Sequence, residues 1–371
     1  MCKIAYLNII SNLKTLSGVH TKVLNQQKAC GKANLPIDFH IFTESDIASN
    51  DSITYHTLPH QTSTAKKLNL EARSTVDRLA EYDVVISRAY VFSPFFIAAF
   101  FNRPFKLISE FHTLNFTLFK LREKKVYYME RLCARPSLAL TDGAICLTNE
   151  IAQDTLQAGF SAKREMRTIT NGVELNAIPM TGCRPFDGNE VNIAFVGSMD
   201  TAWHGLSRMI ESLHAYKGNT HVNLHLIGSI SPSSYDCEVG NNVSIEYHGV
   251  QTGAALDETM SHMHVGMGTL ALYRKGMDEA CTLKVREYMA RGLPFIYAYD
   301  DPDVPEDFPY ALKLPNDGSL ISIPKILDFL NRIRLDKEAS AVMREHCKQY
   351  MAWENKMSQY HQLAMKVATG R

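Results

Sequence analysis

The chain has 371 residues, 45% hydrophobic and 21% charged, with 39 Lys+Arg against 39 Asp+Glu. That length suggests two domains of roughly 100–200 residues each, and the balanced charge argues against a general nucleic-acid binder. An ordinary apolar fraction excludes a disordered chain. The longest apolar run, residues 90–101, is broken by Ser93 and Pro94 and is shorter than the ~20 residues a membrane span needs.

The first residues carry no basic segment followed by an apolar one, so the reading expects no secretory signal and a cytoplasmic location. Eight cysteines are scattered without a Cys-x-x-Cys pair, which points to reduced thiols rather than a disulfide framework or a zinc site. In chain order, short β-rich runs at 3–10, 37–43, 83–88, 105–111 and 143–148 predict buried strands. The stretches 62–80 and 116–135 between them have helical spacing, the rhythm of βαβ units on a parallel sheet. Turn residues accumulate over 168–190, and the rhythm then resumes at 191–197, 204–216, 222–228, 243–248, 265–270, 282–291 and 293–297. A final helical pattern runs over 336–366. The expected organisation is an N-terminal Rossmann-like domain at 1–172, a linker at 173–190 and a second such domain at 191–345. A last segment, 346–371, is expected to pack back on the first domain. Two such domains facing across a cleft would bind ligand at the carboxyl ends of their strands.

The most informative stretch is 275–294. Glu279 and Glu287 lie eight residues apart, with a helix predicted from about Thr282 to its stop at Gly292. The unsatisfied N–H groups of Thr282, Leu283 and Lys284 at that helix start, with Lys275 nearby, make a natural phosphate seat. A nucleoside-diphosphate sugar has the matching layout of sugar, diphosphate and ribose. On composition alone the plainer reading is favoured, with Glu279 a loop or first-turn acid suited to the helix dipole and Glu287 a surface residue.

Several ordered motifs bear on that choice. The Glu-x7-Glu segment, followed by Glu287, Tyr288, Met289, Ala290, Arg291, Gly292, Leu293 and Pro294, resembles the signature of the retaining glycosyltransferases of family 4, which have the GT-B fold. Ile169 to Val173, with Asn171 and Gly172, resembles the Pro-Asn-Gly-Val that leads into that family's linker. Phe195, Val196, Gly197 and Ser198 with Trp203, His204 and Gly205 resemble its Val-Gly-Arg…Lys-Gly element. Ser17, Gly18 and Val19 resemble its Gly-Gly-Val turn, and Glu110, Phe111 and His112 its Glu-x-His.

The resemblance implies an α/β protein of GT-B fold that moves a sugar from a nucleotide-sugar donor to a hydroxyl acceptor with retention. Glu279 and His112 would act on the transferred sugar, and Glu287 on the ribose. Gly18, Gly172, Gly197, Ser198, His204, Lys275, Thr282, Leu283 and Lys284 would line the nucleotide and diphosphate site. Ser198 and His204 stand where the family often has arginine and lysine, so Lys275 or Lys284, before Arg274, would supply the missing charge. Arg88, ending a strand, would face the cleft or a surface partner. No separate cofactor and no metal are expected. Asp300, Asp301, Pro302 and Asp303 read as a solvated turn rather than a metal-carrying motif.

The acceptor is expected to be a glycan or a lipid-linked sugar of bacterial-type surface polysaccharide assembly. Residues 120–135 would supply a basic amphipathic helix for peripheral membrane contact, through Lys120, Arg122, Lys124, Lys125, Arg131 and Arg135, with Leu118, Leu121, Tyr128, Met129 and Leu132 near one face. The competing expectation packs that apolar face on the sheet. A sugar-nucleotide epimerase of the same fold, which needs no acceptor, and a non-catalytic binder of nucleotide sugars are the alternatives.

Overall fold

The computed structural model describes every residue except 1, 11–12, 14–17, 89–90, 115–123, 183, 198–200, 230–239 and 371, and the side chains of 124 and 126. It divides into two compact units, residues 1–170 with 353–371 and residues 171–352. The first holds β1 (Ile4–Ile9), α1 (Gly18–Lys32), β2 (Ile37–Thr43), β3 (Ile53–Thr57), α2 (Thr64–Arg78), β4 (Val84–Arg88), α3 (Pro94–Phe100), β5 (Lys106–Phe111), α4 (Lys124–Ala139), β6 (Gly143–Cys146), α5 (Asn149–Gln157) and β7 (Glu165–Thr168). The second holds β8 (Glu190–Val196), α6 (Leu206–Ala215), β9 (His221–Ile227), β10 (Val243–Gly249), α7 (Gly253–Ser261) and β11 (Val265–Met267). It continues with α8 (Leu283–Arg291), β12 (Phe295–Tyr297), β13 (Ala311–Lys313), α9 (Ile323–Ile333) and α10 (Ala339–Tyr350) before α11 (Trp353–Thr369) returns to the first unit.

Among the described residues the first sheet has seven strands in the order β3-β2-β1-β4-β5-β6-β7, and the second six in the order β10-β9-β8-β11-β12-β13. The ladders are parallel throughout. Both are doubly wound α/β sheets, the class the alternating rhythm predicts. In each, the strand order reverses beside its first strand, at β1/β4 and at β8/β11, and ligands of such sheets bind outside the carboxyl ends at that point.

The cores explain the elements. In the second unit Val191, Ile193 and Phe195 of β8 and Val222, Leu224 and Leu226 of β9 alternate onto one face, against Met209 and Leu213 of α6 and Ile326, Phe329 and Leu330 of α9. In the first, α11 places Trp353, Met357, Tyr360, Ala364 and Val367 on one helical face against Ile4, Tyr6, Val23, Val84 and Ile108. Full burial of each large apolar side chain there contributes about 1.5–3 kcal/mol. Val367 comes so close to β6 that a Cβ on Gly143 would meet it at 2.9 Å.

The chain crosses between units at 170/171 and 352/353. The single helical pattern over 336–366 is two helices, because Met351 and Ala352 leave the helical path. Met351 accepts from Val173 N–H at 2.8 Å, and Ala352 bridges Val173. The expected strand at 265–270 stops at Met267, and β3, β7 and β13 were not read from the sequence.

Candidate functional site: a phosphate cradle and a buried carboxylate

The second unit builds a cradle where β8 ends. Gly197 turns the chain out of the sheet at φ +149°, and Gly228 follows β9 at φ +137°. A Cβ on Gly228 would lie 2.0 Å from the Gly197 carbonyl oxygen, so this approach admits only glycine. A Cβ on Gly197 would lie 2.9 Å from Lys284 Nζ, which places the ammonium against that turn. The same nitrogen sits 4.1 Å from the centre of the Phe195 ring. It is shielded from water and has no hydrogen-bond partner among the described residues. Burial therefore pushes Lys284 down to about 7, against the weaker pull of Glu287.

Lys284 lies in the first turn of α8. Thr282 is the N-cap residue, yet its hydroxyl makes no cap bond and pairs instead with Tyr299 Oη at 2.7 Å. No cap side chain therefore covers the helix start at Leu283, and the dipole favours an anion there. Gly292 ends the helix at φ +69°, as the sequence predicts. One turn beyond Lys284, burial raises the Glu287 carboxyl, opposed first by Arg291 and then by Lys284. Glu279 precedes the helix and bridges to Asp300 through its backbone, next to the Ala280 N–H donating to Asp300 O at 3.0 Å.

The remaining predicted residues of this unit fall around that start. His204 ends a 3-10 turn, Ala202–His204, and its ring lies 6.1 Å from Phe195. Lys275 Nζ sits over the Trp203 ring at 4.9 Å, and Arg274 is tied to Ala202 O and Ser207 Oγ. Of the three cations considered, Lys284 is the one that meets Gly197. Ser198 lies outside the described residues.

Gly172 is buried in a segment that buttresses α8. Its neighbour Asn171 donates from Nδ2 to Cys281 O at 2.8 Å and accepts at its own carbonyl from Arg286 Nε at 3.2 Å.

The acidic cluster is a correction. Asp301 is 5% exposed and forms a paired contact with the Arg286 guanidinium, whose Nη2 also reaches Asp303 at 2.8 Å. Arg286 is itself fully buried, so these two carboxylates neutralise a cation that α8 carries inward. Only Asp300 keeps the expected exposure, and it pairs with Lys313. A sequence signal existed: an arginine on the inward face of a helix requires an acid somewhere.

The first unit holds a different centre. Glu110 on β5 is completely buried, and one carboxylate oxygen accepts from Lys22 Nζ at 2.9 Å and Tyr360 Oη at 2.7 Å. The other accepts from Tyr6 Oη at 2.6 Å. His112 Nε2 lies 3.0 Å from Glu110 Oε1. Burial alone would raise Glu110, but Lys22 first, then His112 and Tyr6, hold it well below the usual carboxylate range. Burial, with Lys22 and Arg88 adding to it, pushes His112 down to about 4 against the pull of Glu110. The imidazole is thus neutral at physiological pH and held beside a fixed carboxylate.

Arg88 is the register partner of Glu110 across β4 and β5. Gly18 opens α1, with nothing within 4 Å of a would-be Cβ. A hollow of about 630 Å³ also exists in this unit, lined by Asp83, Arg103, Lys106 and Asp142. It lies at the amino ends of the strands, where Arg103 and Lys106 pair with Asp142, so it is not the ligand end of the sheet.

The sequence reading singled out the Glu110–His112 motif but not Lys22, Tyr6 or Tyr360, which complete it from distant parts of the chain.

Residues 18–177 match the family described as Glycosyltransferase Family 4. Solved structures match over nearly the whole chain. Anabaena Alr3699/HepE in complex with UDP-glucose is 14% identical with a TM-score of 0.67, covering 100% of both chains. The lipopolysaccharide outer core galactosyltransferase WaaB is 14% identical with a TM-score of 0.65, covering 99% of each. A glycosyltransferase from Rickettsia africae is 11% identical with a TM-score of 0.67, covering 100% of both. A search of curated proteins finds no match. The fold is therefore GT-B, two parallel-sheet α/β domains.

Proposed function

We propose that the protein is a glycosyltransferase that moves a sugar from a nucleotide-sugar donor to a hydroxyl acceptor, retaining anomeric configuration, in the assembly of a surface glycan. The observation that carries this reading is the buried Lys284 ammonium against Gly197, without a hydrogen-bond partner among the described residues, beside the uncapped start of α8 and in sequence between Glu279 and Glu287. A group that costs folding energy to bury and has no hydrogen-bond partner among the described residues suits an anionic ligand. A diphosphate would supply the charge, the α8 amides and Lys284 would stabilise it as leaving group, and no divalent metal is required there. Glu287 would take the ribose hydroxyls and Glu279 those of the sugar. His112, neutral and positioned by Glu110, would orient the transferred sugar through hydrogen bonds.

The relatives support the substrate class: one was solved with UDP-glucose, and another is described as a lipopolysaccharide galactosyltransferase. Among the described residues no helix is long and apolar enough to cross a membrane. On α4, Tyr128 and Leu132 are 60% and 79% exposed beside exposed Lys125, Arg131 and Arg135, while Cys133, Ala134 and Leu138 face inward. That supports contact between this helix and an anionic membrane carrying a lipid-linked acceptor. Lys120, Arg122, Leu118 and Leu121 lie outside the described residues.

The test is a metal-free panel of uridine, guanosine and adenosine diphosphate sugars, read by thermal shift and by release of nucleoside diphosphate. One donor is expected to stabilise the wild type and to lose that effect in Glu287→Ala. Binding untouched by that substitution overturns the site. An acceptor product of inverted configuration, read by proton NMR, overturns retention.

A further inference from the structure

The second sheet carries a polar face on the side of β9 opposite its apolar core. On β9, Val222, Leu224 and Leu226 point into the apolar core, so Asn223 and His225 point to the opposite side. Glu246 on β10 is the register partner of His225, and the ladder then shifts between Tyr247 and Gly249, with His248 at the irregularity.

Three ligand atoms converge there. His225 Nδ1 lies 3.0 Å from His248 Nε2 and 3.4 Å from Glu246 Oε2, and the last two are 3.8 Å apart. A first-row divalent ion bound at about 2.0–2.2 Å by nitrogen and oxygen ligands keeps those ligands roughly 3.0–3.6 Å from one another. Among the described residues this is the one group of three or more His, Cys, Asp or Glu side chains with such convergence.

The burial gradient also suits an ion site. His225 is 7% exposed, whereas the His248 side chain is 24% and the Glu246 side chain 53% exposed. One ligand is thus fixed in the sheet while the other two can be reached from solvent.

The first unit provides a control in the same fold. His40 on β2 and His56 on β3 also stack, with His40 Nδ1 2.9 Å from His56 Nε2. Their other nitrogens are taken, His40 Nε2 by Tyr82 Oη at 2.9 Å and His56 Nδ1 by Arg78 at 3.2 Å. Among the described residues no carboxylate joins that pair within ligand distance, and an arginine stands at its end. In the second unit Glu246 takes the third position, and His225 Nε2 has no hydrogen-bond partner among the described residues. Two stacked histidines arise on corresponding strands, and only one pair is completed as a coordinating set.

We propose that His225 Nδ1, His248 Nε2 and the Glu246 carboxylate form a binding site for a first-row divalent transition-metal ion, with Zn²⁺ the first candidate and solvent completing the shell. The ion would cross-link edge strand β10 to β9 just before Gly228, whose N–H donates to Gly249 O at 2.7 Å and which packs on Gly197. Its role would be to hold the rim of the sheet from which the Gly197 turn is supported. It takes no part in the transfer chemistry proposed above and stands or falls independently of it.

The experiment uses the full chain stripped of metal by chelator. Zn²⁺ is titrated calorimetrically, Co²⁺ is followed by its visible absorption, and thermal stability is read with and without Zn²⁺. One ion per chain, a rise in Tm and a low-symmetry Co²⁺ spectrum are expected. His248→Ala and Glu246→Gln should abolish all three, and both positions are exposed enough for the variants to fold. His262→Ala serves as the control, since His262 forms an exposed pair with Glu258 on α7. No saturable binding by the wild type overturns the proposal. So does binding that survives His248→Ala, or that is lost in His262→Ala, which would mark an adventitious surface ion only.

Discussion

Lys22 in the first unit and Lys284 in the second each carry a buried amine close to the sheet, and the two are finished in opposite ways. Lys22 in the first unit is 6% exposed and meets the Glu110 carboxylate at 2.9 Å, which three further polar groups also surround. Lys284 in the second meets an aromatic face and a glycine turn, and its amine has no acceptor among the described residues. The first charge is completed by the chain itself, with His112 Nε2 3.0 Å from the same carboxylate. The second is left incomplete, which is what a binding site for an anion requires before the anion arrives. The comparison teaches that burial of a charge says little about its role until its partner is identified.

The largest effect expected from this contrast is on the completed side. Glu110→Gln leaves Lys22 buried without its counter-charge and should cost about 3–5 kcal/mol of stability, measured by urea unfolding at neutral pH. Because the folded carboxyl is held below its ordinary range, its contribution is present above that range and fades as pH falls through the lowered value. A variant as stable as wild type would show that the first unit does not depend on this pair.

Lys284→Met should act in the opposite direction. Removing a cation that burial depresses to about 7 is expected to raise the Tm of the ligand-free protein while weakening donor binding by roughly ten- to a hundredfold. In the wild type, donor binding should weaken as pH rises above about 7, since the deprotonated amine must first take up a proton. Calorimetry in buffers of different ionisation enthalpy reads that uptake. A fall in Tm would mean that Lys284 already has a partner.

The smallest effect is at Tyr360. Tyr360→Phe removes one of several donors to Glu110 and should cost about 1 kcal/mol, as a few degrees of Tm.

Much of the scaffold was legible in the sequence because parallel strands buried on both faces are short apolar runs, and helices between them must show a 3.6-residue period. The limits of α8 were legible for a local reason, a threonine before the first turn and a glycine after the last. Lys275 and Lys284 were preferred as the diphosphate cations because both are near the helix start in sequence, and the structure sets Lys284 against Gly197. That it lacks a partner depends on how Phe195 and Gly197 pack, which no local pattern encodes. The Glu110 centre draws on residues 6, 22, 112 and 360, and the Arg286–Asp301–Asp303 pairing joins helix α8 to the loop after β12, so both wait on topology. Asp301 looked like a turn acid because it follows Asp300, which is one. The triad of His225, Glu246 and His248 had a readable half, since a Glu-x-His on a strand shares one face, but its third member lies on the neighbouring strand.

The return of α11 to the first unit has a consequence for the order in which the molecule is made. Residues 1–170 leave the ribosome first, yet the sheet face formed by Ile4, Tyr6, Val84 and Ile108 is covered by Trp353, Met357, Tyr360 and Val367. The whole of the second unit is synthesised before that cover exists. During translation the earlier half must therefore wait with an apolar surface uncovered, the kind of surface that chaperones hold. A nascent chain stalled near residue 352 should bind such holders more tightly than one released with its last helix in place.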